Sequence, residues 1–331
     1  MPFRAPIIKH LVFFSLLTTG LFTQAQADAE KAEVMFREGL AWYERGFLSK
    51  AFPKFETAAD LGHTDAAYFA GEVIQRSDEL NSEAEAFYRQ AAKRGHIYAL
   101  LRLAQKGYDC NSLWSCWRFQ DQWLDKALDV ALPRARSGDP EAMKAVHSIY
   151  RAQGDSGDAW EWIQRAAEAG HAYSQYWLAC LIDDQMEGFY WTKAGRQLDV
   201  MKWLRKSAKN GFPKAMMKLA VELREQGELD EARYWVEAMA KTDYYDAVLE
   251  AGTYIMMGPD IADIYSSTIS YDFEKPRPIE GAALLLALHR KTGKTSTLDA
   301  IKKYEDYLTP EMIAEALERS EELLIDTPIF F

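Results

Sequence analysis

A pattern of small residues recurs along the whole 331-residue chain and limits its fold more than any other feature. Small residues, mostly alanine, stand eleven and three residues before a set of anchors, and four and nine residues after most of them. The anchors are Gly62, Gly95, Gly138, Gly170, Gly211, Asp243 and Gly293. Internal repetition at such a period is typical of repeat architectures, in which each copy is one supersecondary unit.

Large apolar residues fall at helical spacing between these small ones. Trp162, Trp203 and Trp235 stand eight residues before their anchors. Alanines at fixed offsets suit helices that cross closely, and a glycine in the left-handed conformation ends one helix just before the next begins. Each unit is thus a helical hairpin that buries its apolar face by stacking on its neighbours. The sequence predicts an all-α fold, an α-solenoid of about seven helical hairpins.

These segments carry a resemblance to a known family. Residues 50–71 (KAFPKFETAADLGHTDAAYFAG) and 158–179 (DAWEWIQRAAEAGHAYSQYWLA) resemble the Sel-one-like (Sel1-like) repeat, a relative of the tetratricopeptide repeat (TPR). The opening hairpin around Phe36 and Tyr43 resembles the TPR pattern itself, and residues 308–324 resemble the closing helix of such proteins. The resemblance covers about residues 29–325. It implies adaptor, scaffold or inhibitor roles, which all depend on binding another protein.

The N-terminus has the pattern of a cleavable secretory signal over residues 1–27. Basic residues precede an apolar stretch at 11–22, and Ala25-Gln26-Ala27 ends it. That stretch is shorter than the roughly 20 apolar residues of a membrane span. We expect residues 28–325 to form the solenoid in the periplasm, with no membrane span after cleavage and with residues 326–331 as a C-terminal tail.

The charge of the chain bears on its partners. Lys and Arg total 39 against 50 Asp and Glu, so the net charge is −11. A negative field repels phosphate backbones and anionic lipids, which excludes nucleic acid as the expected partner and favours a basic protein.

The distances between successive anchors alternate between short and long. The extra residues fall near 107–121, 183–197 and 258–278, where we predict long loops. Loops of this length in a compact fold are often functional, and aromatic residues are enriched in protein interfaces. The loop aromatics therefore predict either partner contacts or, with equal weight, covers for the helix ends. The residues predicted to bind the partner are Trp114, Trp117, Tyr190 and Trp191.

A second candidate surface follows from the repeat register. In TPR-like stacks the first helix of each hairpin lines the concave face, and the position three residues after each anchor varies in charge and size. We call this set the first-turn row: Asp65, Tyr98, Glu141, Tyr173, Lys214 and Asp246. Its predicted partner-binding members are Tyr98, Tyr173, Lys214 and Asp246.

His63, His96 and His171 each follow an anchor glycine directly. Stacked helices lie about 8–10 Å apart, whereas Zn–N bonds are about 2.0–2.1 Å, so equivalent histidines cannot share an ion. A capping role at the next helix is the prediction, with no metal and no cofactor. Cys110 and Cys116 predict a local disulfide in an oxidising compartment, and Cys180 predicts a buried free thiol.

No catalytic constellation stands out in the sequence. Gly293-Lys294-Thr295 imitates the end of a phosphate loop, but Leu288 replaces the first glycine and the context is helical. The acidic pairs Asp183-Asp184 and Glu321-Glu322 are typical of solvated faces. The sequence therefore predicts a protein that is not an enzyme.

Two functions compete within the protein-binding class, ahead of an enzyme. The resemblance to secreted Sel1-like proteins implies an immunity protein that binds and neutralises a toxic, lipase-type effector of the type VI secretion system. The alternative is an envelope scaffold for polysaccharide-export or cell-wall enzymes.

Overall fold

The computed structural model describes residues 8–76, 82–106, 113–185, 188–256, 277–325, 327 and 329, with side chains from residue 25 onward except at 106 and 113–120. Within these residues sixteen α-helices occur and no strand. The chain divides into two compact units, Met1–Ala127 and Leu128–Phe331.

The helices of the first unit follow in chain order and continue into a sixth helix that crosses the unit boundary. They are α1 (Ile8–Glu44), α2 (Leu48–Asp60), α3 (Thr64–Gln75), α4 (Ser82–Ala92), α5 (Ile97–Lys106) and α6 (Leu113–Arg136). The second unit adds α7 (Pro140–Gln153), α8 (Ser156–Glu168), α9 (Ala172–Asp183), α10 (Lys193–Lys209), α11 (Pro213–Glu225), α12 (Leu229–Met239), α13 (Tyr245–Met256), α14 (Pro278–Thr292), α15 (Ser296–Lys302), a 3-10 turn (Glu305–Tyr307) and α16 (Pro310–Ser320).

These helices pair as hairpins from α1–α2 to α13–α14, and α15 and α16 follow them. Consecutive helices pack on one another, for instance α2 on α3 in the first unit, and α9 on α10 and α13 on α14 in the second. Connections of a few residues make neighbouring helices antiparallel. The predicted all-α repeat fold of about seven hairpins is confirmed.

The anchor glycines end helices as predicted. At Gly170 the backbone has φ +91°, and its N–H donates to the Ala167 carbonyl at 3.1 Å. The next N–H, of His171, donates to the Ala166 carbonyl, and α9 starts at Ala172. A side chain would be strained at this φ, which is why glycine holds the position.

The small residues of the repeat lie where helices cross. Every residue eleven positions before an anchor is at most 1% exposed: Ala51, Ala84, Ala127, Ala159, Val200, Ala232 and Ala282. Those four positions after the first six anchors are equally buried: Ala66, Ala99, Ala142, Ser174, Ala215 and Ala247. The repeat register read from the sequence is therefore the register of the packing.

The core of the first unit is aromatic. The ring of Phe55 on α2 lies 5.4 Å from Phe69 on α3 and 6.0 Å from Phe36 and from Tyr43 on α1, measured between ring centroids. A Cβ added at Gly39 would lie 2.7 Å from the Phe55 ring, so glycine lets α1 approach α2. This cluster fixes the helices that carry the first part of the row.

The core of the second unit is aliphatic with buried tryptophans. Leu178, Val200 and Leu219 belong to one cluster with Trp203 and Trp235, whose exposed fractions are 7% and 4%. The predicted stripe of large residues is thus the core face of the second helices. Burial of this face provides most of the stability of such a stack.

The C-terminal region contains the closing helix that the resemblance implied. The Thr309 hydroxyl accepts a hydrogen bond from the Met312 N–H and caps α16, which packs on α14. Beyond it, Ile329 is buried in the core of the second unit. The C-terminal tail predicted at 326–331 thus contributes an apolar residue to this core.

The predicted long loops are shorter where the structure describes them. Helix α6 already begins at Leu113, so the second half of the predicted 107–121 loop is helical. Helix α10 begins at Lys193 because the Thr192 hydroxyl accepts from the Gly195 N–H at 3.0 Å, which shortens the 183–197 loop. Nearly all of 258–278 lies outside the described residues. Among those described, no helix has the length and apolar character needed to cross a bilayer.

Replacing Ala167 by Leu tests the crossing of α8 with its neighbours. Ala167 is fully buried, so extra methylenes are forced into a close contact, and we expect a loss of about 1–3 kcal/mol of unfolding free energy. The control is Ala169→Leu at the exposed end of α8, with an expected change within about 0.5 kcal/mol. Denaturant midpoints measure both, and equal midpoints would show that the register is wrong.

Candidate functional site

The first-turn row lies at the start of the first helix of the second to seventh hairpins. The residue one position further along is buried in the crossing, so the row residue points away from it. Asp65, Lys214 and Asp246 are exposed, Tyr173 keeps 38% of its surface, and Tyr98 is half-buried. The row is therefore available to a partner in both units.

The histidines after the anchors are helix caps, as predicted. The Nδ1 atoms of His63, His96 and His171 each accept the backbone N–H three residues later, at 3.1–3.3 Å. An accepting Nδ1 leaves the proton of neutral imidazole on Nε2. That atom faces a carboxylate of the preceding hairpin, Glu141 at 2.9 Å in the case of His171.

The same arrangement joins the hairpins of the first unit. His63 Nε2 lies 3.2 Å from Glu33, and His96 Nε2 lies 3.5 Å from Asp65. The imidazoles also stack on rings of the preceding hairpin, Phe36 at 4.3 Å and Tyr68 at 4.5 Å. The histidines thus connect neighbouring repeats. In the described parts of the chain no three His, Cys, Asp or Glu side chains are placed to hold a metal.

Replacing His96 by Ala removes the cap and the contact with Asp65. We expect at most about 1 kcal/mol of lost unfolding free energy, as for other capping residues. His96→Asn restores a capping acceptor and should recover most of that loss. Metal content measured on the purified protein should be the same in all three proteins, and a metal lost with His96 would contradict the capping role.

In the second unit, Tyr173 is the centre of an aromatic group. Its ring stacks on the Trp177 ring and lies edge to face with the Phe212 ring, with centroid distances of 6.5 Å and 5.9 Å. Lys144 Nζ lies 4.7 Å from the centroid of the Tyr173 ring. Burial raises the pKa of the Tyr173 phenol above its ordinary value. The row thus contains a fixed, partly exposed ring between α7 and α11.

The far end of the row is acidic. Lys214 Nζ lies 5.6 Å from the ring of Tyr244, whose hydroxyl donates to Asp246 at 3.1 Å. One turn along α13, burial and the nearby Asp246 carboxylate raise the pKa of Glu250. Two carboxyl groups one turn apart favour a cationic group at this end.

The loop between α9 and α10 presents aromatic rings differently from the prediction. Trp191 is 91% exposed and Phe189 78%, and their rings meet edge to face at 5.1 Å. Tyr190 instead folds back, and its hydroxyl donates to Asp199 at 2.9 Å. Burial and this bond raise the Tyr190 pKa to about 12. Tyr190 therefore supports the loop, whereas Trp191 is free to contact a partner.

The structure does not bring Trp191 together with the row. Tyr173 lies in the first turn of α9, and the Trp191 loop follows the last turn. Helix α9 has twelve residues, so its two ends are about 18 Å apart. Trp191 and the first-turn row are therefore two separate surfaces.

Four predicted residues fall outside the description. The side chains of Trp114, Trp117 and Cys116 and all of Cys110 are outside the described residues, so the loop contacts and the disulfide stay predictions. Cys180 is a free thiol, half-buried rather than buried, and burial raises its pKa. The difference arises because Cys180 lies at the edge of α9's buried face.

Sequence reasoning missed four residues of the site. Phe212 and Tyr244 directly follow an anchor, where three other repeats place a capping histidine. Trp177 and Glu250 lie seven residues after an anchor. The position after the anchor was a usable signal, because an aromatic ring there contacts the row of the preceding hairpin.

Comparisons with known proteins return helical repeat proteins. No family model matches the chain. A Sel1 repeat protein from Oxalobacter formigenes is 22% identical, with 69% of this chain and 95% of that one covered, at a TM-score of 0.39. The protective antigen c5321 of uropathogenic Escherichia coli is 18% identical over 90% of this chain and 69% of its own, at 0.37. The immunity protein Pa5087 of Pseudomonas aeruginosa is 12% identical, with 91% of this chain and 84% of that one covered, at a TM-score of 0.33.

One curated relative is similar in sequence. An F-box protein of Arabidopsis thaliana is 33% identical over 98 residues, which is 30% of this chain. The matched region spans about a quarter (26%) of that relative's length.

Proposed function

We propose that this protein binds another protein through the first-turn row of its second unit and performs no chemistry of its own. The observation that carries the proposal is the Tyr173 group. The partly exposed Tyr173 ring is held by Trp177 and Phe212, and the next residue, Ser174, is buried in the helix crossing. Rigid aromatic residues of this kind concentrate binding energy in protein interfaces.

The charge around the group favours a partner with basic residues. Asp246 is exposed and Glu250 half-buried at one end of the row, and the chain as a whole carries a net charge of −11. Complementary charge steers association and selects among partners. Lys214, next to Tyr244, is the exception within the row, and it pairs with an acidic residue of the partner.

The finer proposal is an immunity protein of the periplasm that occludes a lipase-type effector of the type VI secretion system. Its support is the secretory pattern of residues 1–27 and the resemblance to secreted Sel1-like repeat proteins. The alternative, an envelope scaffold for polysaccharide-export or cell-wall enzymes, shares the row but predicts several resident partners instead of one toxic partner.

Co-expression in a bacterial host separates the two. The secreted product of the reading frame beside this gene is directed to the periplasm with and without this protein. Immunity predicts that growth stops without it, recovers with it, and that a stoichiometric complex co-purifies. Recovery of export or cell-wall enzymes from envelope extract, with no toxicity to neutralise, favours the scaffold. A protein that captures neither would contradict protein binding through the row.

A further inference from the structure

Helix α10 and the loop before it form a surface of different character from the row. The helix carries six basic residues and a single acidic one, although acidic residues exceed basic ones in the chain as a whole. We call this the α10 surface, formed by the loop rings, the exposed face of α10 and the groove beside it: Phe189, Trp191, Leu198, Lys202, Lys206 and Lys209.

The loop rings are held in place rather than loosely attached. Tyr190 anchors the loop to Asp199, and the Thr192 cap fixes the start of α10. Phe189 and Trp191 contact each other and are otherwise presented to solvent. Large exposed apolar side chains in a fixed arrangement mark interaction sites, because holding them in water has no structural benefit.

An open groove of about 400 Å³ lies along α10, and its lining begins at Ala194, three residues after Trp191. Its apolar lining on α10 includes Ala194, Leu198 and Met201, and Leu198 is 73% exposed. Gln226 and Glu228, between α11 and α12, form the other side. The groove therefore offers apolar contact on the helix that directly follows the two exposed rings.

The charges of the surface divide into neutralised and available ones. Arg205 donates to Glu228 and Glu231 and is neutralised by them. Lys202 has a weak partner in Asp199 at 3.7 Å. Lys206 and Lys209 are exposed, and no carboxylate of the described residues forms an ion pair with either; Lys206 Nζ lies 4.5 Å from the centroid of the Trp203 ring. The surface thus has an excess of positive charge along its exposed face.

We propose that the α10 surface binds an acidic, amphipathic segment of a partner protein. Apolar side chains of that segment occupy the groove beside Leu198 and contact Trp191, and its carboxylates meet the lysines. This surface is independent of the first-turn row and of the immunity proposal.

Two other occupants fit the charges less well. A second copy packed across a two-fold axis on α10 would place the lysines of both copies together. An anionic bilayer would attract the lysines, but its extended surface would also face the acidic remainder of the chain, whose net charge is −11, whereas a short segment meets the α10 surface alone.

The test uses the full chain and a defined probe. A fluorescein-labelled helical peptide of Glu, Ala and Leu, with Leu at every third or fourth position, is titrated by anisotropy. Lys202→Glu with Lys206→Glu should weaken its binding at least about tenfold. The matched control, Lys302→Glu with Lys303→Glu on exposed residues at the end of α15, should change the affinity less than about twofold.

A second arm tests the apolar part and the direction of the charge effect. Trp191→Ala with Leu198→Ala should also weaken binding of the acidic peptide at least about tenfold. A Lys-for-Glu version of the peptide should bind the Lys202→Glu, Lys206→Glu variant more tightly than the wild type. Far-ultraviolet circular dichroism and melting curves confirm that each variant folds.

Three outcomes would overturn the proposal. They are an equal loss of affinity in the test and control variants, no binding of the acidic peptide to the wild type, and an unchanged affinity when the leucines of the peptide are replaced by alanine. Vesicles of phosphatidylglycerol that bind the wild type and displace the peptide would assign the surface to a membrane. Lys-dependent dimerisation in sedimentation would assign it to a second copy.

Discussion

Replacing Gly281 by Ala is expected to reduce the unfolding free energy by about 2–4 kcal/mol, since overpacking against main chain leaves no flexible atom to yield. An added Cβ would lie 2.4 Å from the Met256 nitrogen, 2.5 Å from the Gly252 carbonyl oxygen and 2.6 Å from the Met256 Cα. All three are main-chain atoms of α13. Helix α14 must therefore move away from α13, and the buried cluster around Leu285 opens.

The control is another helical Gly→Ala change in the same unit. A Cβ at Gly157, in the first turn of α8, would have Asp155 as its nearest neighbour at 3.7 Å, which is an ordinary contact. Alanine there should stabilise by about 0.4–1 kcal/mol, because it restricts the unfolded chain. Denaturant midpoints compare the two, and limited proteolysis reports whether α13 and α14 open first in Gly281→Ala. A stabilised Gly281→Ala would show that the two helices cross less closely.

The repeat offsets predicted one half of this contact. Gly252 stands nine residues after its anchor, where small residues were expected, but Gly281 falls one position before the conserved offset at Ala282 and was missed. Offsets identify which positions are small on average. Which pair of backbones approaches most closely depends on the crossing angle of one hairpin, which no repeat pattern contains.

The loops show a second limit of the sequence. Anchor spacing located the extra residues, but the extension of α10 down to Lys193 depends on one hydroxyl, that of Thr192. Ile329 was assigned to a tail because nothing local indicates its burial. The start of α10 thus depends on a single cap, and the burial of Ile329 depends on tertiary contacts.

The candidate site was predicted in part. The row residues Tyr173, Lys214 and Asp246 lie where the register placed them, on exposed first turns. Their neighbours Phe212 and Tyr244 were missed because the residue after an anchor was interpreted through the histidine caps alone. Ring contacts between hairpins depend on the variable residues of two repeats at once, so a pattern averaged over repeats does not contain them.

Replacing Tyr173 by Ala is expected to weaken binding of the partner by at least about 2 kcal/mol, which is about thirtyfold in Kd. Loss of the ring removes the contact with Trp177 and the surface that Phe212 and Lys144 hold in place. Tyr173→Phe keeps the stacking and should bind within about threefold of the wild type. The complex obtained by co-expression is measured by calorimetry or surface plasmon resonance.

The matched control is Tyr234→Ala on α12. Tyr234 is 63% exposed and also packs on a tryptophan, Trp235, at 5.0 Å, but it lies on the second helix of its hairpin, away from the first-turn row. The Tyr234→Ala substitution should leave the Kd of the partner unchanged within about twofold. Because Tyr173 is 38% exposed, its loss should cost about 1–2 kcal/mol of folding free energy, which melting curves can separate from the loss of binding. If Tyr234→Ala weakens binding and Tyr173→Ala does not, the partner uses the second helices, and the row has no part in the interface.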